Sequence, residues 1–353
     1  MLSRRNFMIL SGVVAAGARL PRAAAALPTN DAVHGVTPMM LVNPEFRAAL
    51  DRLPQQGRFG PITLANLPKL RAMISSFTAP VRRTPKVTRR LIAGFDGEPN
   101  VPIYVIGAEP GAAKPAVLHI HGGGFIAGTA RGMIGPTQGI AAACDCVVVA
   151  PEYRLAPETP FPGPLDDNYA ALLWVYRHAQ ELGVDPDRIA IVGESAGGGL
   201  AAMLAIAARD RGQVPIAFQV LIYPMLDDRT GSTRSVPRFM GQFMWTRQNN
   251  RFGWTALLGE PAGSVSVPPG SVPARVSNLA GLPPAFVGVG SIDLFVNEDI
   301  EYARRLMDSA VPTELLVIPG GFHGFDMVAP HAVLSQEFTQ AWQNALRRAF
   351  SKT

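Results

Sequence analysis

Arg188-Ile-Ala-Ile-Val-Gly193-Glu194-Ser195-Ala196-Gly197-Gly198 is the stretch that decides the fold. Ile189 to Val192 form a short apolar run that reads as a buried strand. The next five residues, Gly193 to Gly197, match the GxSxG pattern, and the small-residue run Gly197 to Ala207 continues as a helix. A serine between strand and helix in this pattern sits on a turn so tight that its neighbours must be nearly side-chain-free, which leaves the hydroxyl exposed above the sheet. Ser195 is therefore placed to attack.

An unassisted hydroxyl is a poor nucleophile at neutral pH, so the reading demands a base, a group that orients the base, and donors for an oxyanion. Two histidines lie downstream, His323 and His331. His323 follows the strand-like Glu314 to Ile318 in the glycine-loosened Gly320-Gly-Phe-His323-Gly-Phe325, whereas His331 follows Pro330 at the start of the last helix. His323 is the expected base. Pro284 to Gly290 reads as a buried strand with Asp293 at its exit, so Asp293 is the expected orienting acid and Glu298 the runner-up. Glu298, Asp299 and Glu301 fall in the first turns of an amphipathic helix, where acids favour the positive end of the dipole without a catalytic task. Asp227 and Asp228 read as turn or capping residues before a long irregular insertion.

Ala116 to Ile120 reads as another strand and runs into His121-Gly122-Gly123-Gly124-Phe125. Glycines there let main-chain NH groups face a reacting carbonyl, so the expected oxyanion donors are the amides of Gly123, Gly124 and Ala196. His121 and Gly122 support the motif, with His121 bonding the loop into shape and His119 a core residue. The proline-rich coil from Pro151 to Pro164 reads as a structural clamp at a strand exit.

These stretches together resemble the hormone-sensitive-lipase-like esterases, the bacterial family IV carboxylesterases of the α/β-hydrolase superfamily. The resemblance rests on His121 to Phe125, Pro151-Glu-Tyr-Arg-Leu-Ala-Pro-Glu158 with Phe161-Pro162, and Gly183 to Gly198. It continues in Leu279 to Pro284, Asp293-Leu-Phe295 with Tyr302-Ala303, and His323 to Phe325. The matches run from about Lys114 to Phe325. The family often has Asp-Pro-Leu where this chain has Asp293-Leu294-Phe295; the carboxylate is kept. The resemblance implies hydrolysis of small-molecule carboxylic esters with short or medium acyl chains, without a cofactor. Acyl transfer or deacetylation on the same triad is the alternative, and a non-enzymatic small-molecule receptor on the same scaffold is a third reading.

Length and composition agree with this. A chain of 353 residues, 48% apolar, can fill one large core. Apolar runs alternate with helical patterns, which predicts an α/β fold with a mostly parallel central sheet and helices on both faces. Two regions break the alternation, about 37–80 and 225–275, and are expected to form a mainly helical cap within a hydrolase domain of residues 27–353. Ser3-Arg4-Arg5-Asn6-Phe7-Met8, followed by a weakly apolar stretch and Ala23 to Ala26, reads as a twin-arginine export signal over residues 1–26. Its partner is the twin-arginine machinery and its destination the periplasm or beyond. The apolar stretch is too short for a stable membrane anchor.

Loss of Arg4, Arg5, Arg19 and Arg22 with that leader turns a net charge of +5 into 28 basic against 27 acidic residues, a balance that gives no footprint for nucleic acid. Cys144 and Cys146 stand two residues apart at a strand start, where an extended backbone would hold them on one face roughly 7 Å apart, too far for an easy disulfide. Two cysteines without a histidine cluster predict no metal site. Natural substrate, enantiopreference and oligomeric state depend on the cap and surface, which motifs do not specify.

Overall fold

The computed structural model describes residues 36–53, 60–76 and 79–351. The leader expected at 1–26 lies outside the described residues. Among the described residues eight strands form one sheet: β1 (Val87–Ile92), β2 (Val101–Ile106), β3 (Lys114–Ile120), β4 (Val147–Pro151), β5 (Val184–Glu194), β6 (Phe218–Ile222), β7 (Ala285–Gly290) and β8 (Thr313–Ile318). Their spatial order is β1-β2-β4-β3-β5-β6-β7-β8. Only the pairs β1–β2 and β2–β4 are antiparallel, and the other six strands run parallel. The α/β expectation holds. β1 escaped the sequence reading because Thr88, Arg89 and Arg90 give this edge strand a solvated, largely polar pattern.

The helices are α1 (Pro38–Leu41), α2 (Pro44–Arg52), α3 (Leu67–Ser76), α4 (Ile134–Cys144), α5 (Gly163–Arg177), α6 (Ala179–Leu182), α7 (Ala196–Arg211), α8 (Arg247–Leu258), α9 (Val296–Asp308), α10 (Phe325–Val328) and α11 (Val333–Phe350). Strand periodicity divides the interior into two cores. Ala116, Leu118, Ile120, Ile189 and Ile191 face one core with α5 and α7, while Val117, Val148, Ala190 and Val192 face the other with α4 and α11. Buried apolar residues surround α7 on nearly every side, as its alanine- and glycine-rich sequence requires of a central helix.

The two irregular regions do not behave as one layer. Ile62 NH donates to Asn249 Oδ1 on α8 at 3.0 Å, and Ile62, Leu67 and Leu70 share a core with Trp245 and Trp254, so residues 60–76 join the 225–275 segment. In contrast, α2 packs against the other core, under the loop that carries His323: Phe46 is fully buried against Phe322 and Phe325, with ring centroids 6.2 and 5.1 Å away. Asn43 at the start of α2 donates its NH to Gly320 O at 3.1 Å.

Asp227 and Asp228 are more than turn residues. Both are completely buried. Arg229 forks onto Asp227 at 2.8 and 2.9 Å and Arg275 onto Asp228 at 2.7 Å twice, while Asp228 also accepts from Gly263 NH at 2.8 Å. These bidentate pairs bind the long insertion to itself, because a carboxylate removed from water needs all its lone pairs met.

Candidate active site

β5 ends at Glu194 and α7 begins at Ala196, leaving Ser195 alone on the turn with φ 57° and ψ −121°. That conformation is costly for a residue with a Cβ and persists only where its surroundings enforce it. Here they do: Ser195 NH donates to Ile222 O at 2.9 Å, and Ser195 O accepts from Gly199 NH and Met225 NH, both at 3.0 Å. The turn can close because Gly197 has no side chain; a Cβ there would lie 2.0 Å from Ile120 O.

The three side chains chosen from sequence converge. Ser195 Oγ lies 2.8 Å from His323 Nε2, and His323 Nδ1 lies 2.9 Å from Asp293 Oδ2. Asp293 Oδ1 accepts from Phe295 NH at 3.0 Å, and the carboxylate is wholly buried. Each residue stands at the carboxyl end of its strand, β5, β7 and β8, the edge at which open parallel sheets build their sites. His331 is exposed before α11 and stands apart from this group.

Beside Ser195 lies the glycine loop. Gly123 has φ +125°, and a Cβ there would meet Ala127 O at 2.0 Å, so only glycine allows this path. Gly123 O is taken by the amides of Ile126 and Ala127. Among the described residues the amides of Gly123, Gly124 and Ala196 donate to no protein acceptor, and Ala196 NH is one of the orphan donors of the first turn of α7.

His121 serves the loop. Its Nδ1 lies 2.8 Å from Gly122 O, and its ring stacks on Tyr153 with centroids 4.2 Å apart. Burial, partly offset by the Gly122 carbonyl, lowers its pKa to about 4, so the ring is neutral at pH 7 and donates from Nδ1. Tyr153 hydroxyl donates to His121 O at 2.8 Å, which gives the proline-rich clamp a specific anchor. His119 is a core residue as expected, and its Nε2 reaches Glu194 Oε1 at 2.8 Å across β3 and β5.

Sequence reasoning missed the aromatic surround of the base. Tyr223, Phe295 and Trp245 flank the His323 ring at centroid distances of 4.9, 5.1 and 6.5 Å. Tyr223 hydroxyl donates to Asp326 Oδ1 at 3.0 Å; burial raises the Asp326 pKa to about 6 despite that bond. Nothing local in the sequence marks these contacts, since the three rings come from three different segments.

Glu298 and Asp299 stand in the first turn of α9, as expected. Both are buried rather than solvated, and Glu298 Oε1 accepts from Leu226 NH and Asp227 NH at 2.7 and 3.1 Å. Burial first, then the Asp227 charge, pushes Glu298 well above the carboxylate range; burial first, then Glu298 and Asp293, does the same to Asp299. Glu298 thus holds the chain entering the long insertion and stands outside the bonded triad. Among the described residues no three His, Cys, Asp or Glu side chains are grouped to hold a metal ion, and no helix is long and apolar enough to cross a membrane. Cys144 and Cys146 are both free and buried.

Comparison with known proteins agrees with this geometry. A family model described as alpha/beta hydrolase fold matches residues 117–327. Esterase LipI of Mycobacterium tuberculosis is 35% identical over 72% of this chain and 80% of its own length. Carboxylesterase NlhH of the same species is 34% identical over 72% of this chain and 81% of its own. Among solved structures, a bacterial heroin esterase superposes with a TM-score of 0.79 at 39% identity, covering 90% of this chain and all of that one.

Proposed function

This chain belongs to the hormone-sensitive-lipase-like esterases of the α/β-hydrolase fold, and on that premise we propose that it hydrolyses carboxylic esters of short to medium acyl chain through an acyl-enzyme on Ser195. One observation carries the reading: the unbroken hydrogen-bonded path from Ser195 Oγ through both nitrogens of His323 to the buried Asp293 carboxylate. His323 takes the hydroxyl proton as Ser195 attacks the ester carbonyl, while Asp293 keeps Nδ1 protonated and so leaves Nε2 as the acceptor. The imidazolium then protonates the departing alcohol oxygen, and in the second half His323 activates the water that releases the acid. Free amides of Gly123, Gly124 and Ala196 receive the negative charge on the carbonyl oxygen; each such donor is worth about 3 to 4 kcal/mol in the transition state.

Replacing Ser195 by Ala removes the only atom that becomes acylated. Turnover of p-nitrophenyl butyrate should vanish in a variant that still folds, and retained turnover contradicts the assignment. Residues 60–76 share a core with the 225–275 segment, whose Trp245 lies 6.5 Å from the His323 ring, and on that basis a cap over the serine and a limit below about ten acyl carbons are proposed. An acetate-to-decanoate series tests this; a rate that climbs steadily with tail length opposes it. Residues 1–26 are assigned as a twin-arginine leader for export of the folded protein, on the strength of Arg4-Arg5 and the stretch after them. Changing Arg4 and Arg5 to Lys in the full precursor should retain it in the cytoplasm; undiminished periplasmic accumulation overturns this.

A further inference from the structure

We infer that Trp245 is the specificity-determining wall for the alcohol side of the ester: it roofs the gap between the oxyanion loop and the base, and so excludes bulky, branched alcohols. The inference rests on the hydrolase reading above and adds to it which half of the substrate is restricted, and by what.

The indole lies across two parts of the site at once. Its benzo edge is pressed onto Gly124, where a Cβ would fall 2.2 Å from Cη2 and 2.7 Å from Cζ2. Its centroid is 6.5 Å from the His323 ring, inclined by 40°. When Ser195 attacks, the carbonyl oxygen must turn to the amides of Gly123 and Gly124, and the departing oxygen must face His323 Nε2 to receive its proton. A ring spanning from Gly124 to His323 therefore borders the sector in which the alcohol group sits.

Exposure points the same way. Of the three rings around the imidazole, Tyr223 and Phe295 are 1% and 0% exposed, whereas Trp245 keeps 7%, close to the 8% of both Ser195 and His323. Trp245 is thus the least buried of the three rings around the base, as the wall of an entrance would be.

The wall is fixed. Indole Nε1 donates to Asn250 Oδ1 at 3.2 Å, and Asn250 Nδ2 donates to Thr230 O at 2.9 Å. Asn250 is completely buried on α8, and that helix is itself seated on the glycine loop: Gly253 packs against Gly124 O, and Trp254 meets Phe125 edge-on at 5.0 Å. Asn250 thus acts as a positioning residue, holding the indole in one orientation. A rigid apolar wall discriminates by shape, at roughly 10- to 200-fold per misplaced methylene-sized group.

The test crosses two ester series: butyrates of ethanol, 2-propanol and tert-butanol, and ethyl esters from acetate to octanoate. In Trp245→Ala, kcat/KM for tert-butyl butyrate relative to ethyl butyrate should rise by about tenfold or more, while the ratios within the acyl series change less than about twofold. Trp245→Phe keeps an aromatic filler and covers the case in which the alanine variant does not fold; it should shift the alcohol ratios in the same direction by a smaller factor. Asn250→Ala should do likewise by letting the indole move. Unchanged alcohol ratios, or a shift confined to the acyl series, overturn the inference. Failure of the hydrolase reading looks different: wild type would turn over none of these esters, and Ser195 would not react with a fluorophosphonate.

Discussion

Asp293→Asn is the substitution whose outcome the geometry dictates most closely. Asp293 Oδ1 accepts from Phe295 NH at 3.0 Å, and Oδ2 accepts from His323 Nδ1 at 2.9 Å, in a pocket with no solvent contact at the carboxylate. An amide placed there must keep its oxygen on Phe295 NH, since the opposite orientation sets two donors against each other in a buried site. Its NH2 group then faces Nδ1. The imidazole can satisfy that donor only by moving its proton to Nε2, the nitrogen that must accept from Ser195 Oγ. The base is lost while shape and volume are kept. A loss of about 10⁴-fold in kcat is expected, or about 5.4 kcal/mol of barrier at 1.36 kcal/mol per decade. Steady-state turnover of p-nitrophenyl butyrate reads it, with thermal melting to confirm that the variant is folded. A folded variant that loses less than about tenfold refutes the argument that Asp293 fixes the tautomer.

Other perturbations follow from the same contacts. Phe46→Ala empties a fully buried site beneath Phe322 and Phe325; urea unfolding should show a loss of about 3 to 5 kcal/mol, with slower turnover as the His323 loop loosens. Tyr153→Phe strips the His121 carbonyl of its hydroxyl donor and should cost about 1 to 3 kcal/mol by the same measurement.

Two of the shifted groups make opposed contributions to the pH dependence. His121, lowered to about 4, stays neutral in the folded state while its unfolded counterpart protonates, so stability falls as pH drops from 6.5 toward 4. Asp326, raised to about 6, takes up a proton earlier when folded, so stability rises as pH drops from 6 toward 3.8. At 1.36 kcal/mol per pKa unit each amounts to about 3 kcal/mol, and they nearly cancel. Asp326→Asn removes one of them: its stability relative to wild type should be about 2 kcal/mol more favourable at pH 7.5 than at pH 4. A difference that does not vary with pH contradicts this.

The parts of the site that were legible in the sequence are those whose chemistry demands particular residues at particular local positions. A serine on a tight turn needs glycines around it, and a carboxylate and an imidazole at strand exits are visible because buried strands are continuous apolar runs. Contacts between distant segments leave no such mark. Glu298 and Asp299 look like ordinary first-turn acids, and only the loop Leu226–Asp227 folding over α9 turns that position into an interior one. Asp227 and Asp228 look like turn formers until Arg229 and Arg275 close on them. Residues 37–80 read as one irregular block, yet the α2 part pairs with the His323 loop and the α3 part with α8, a division set by which core each apolar face can reach. Trp245 is a plain aromatic in an insertion until its edge is found on Gly124.

The most direct measurement is mass spectrometry of the protein quenched during turnover of p-nitrophenyl butyrate and digested to peptides. The account predicts one butyryl group on the peptide containing Ser195, lost in Ser195→Ala and lost as well when His323 is replaced by a residue that cannot take the Ser195 proton. Turnover without any acyl group on Ser195, or an acyl group carried by a different residue, contradicts it.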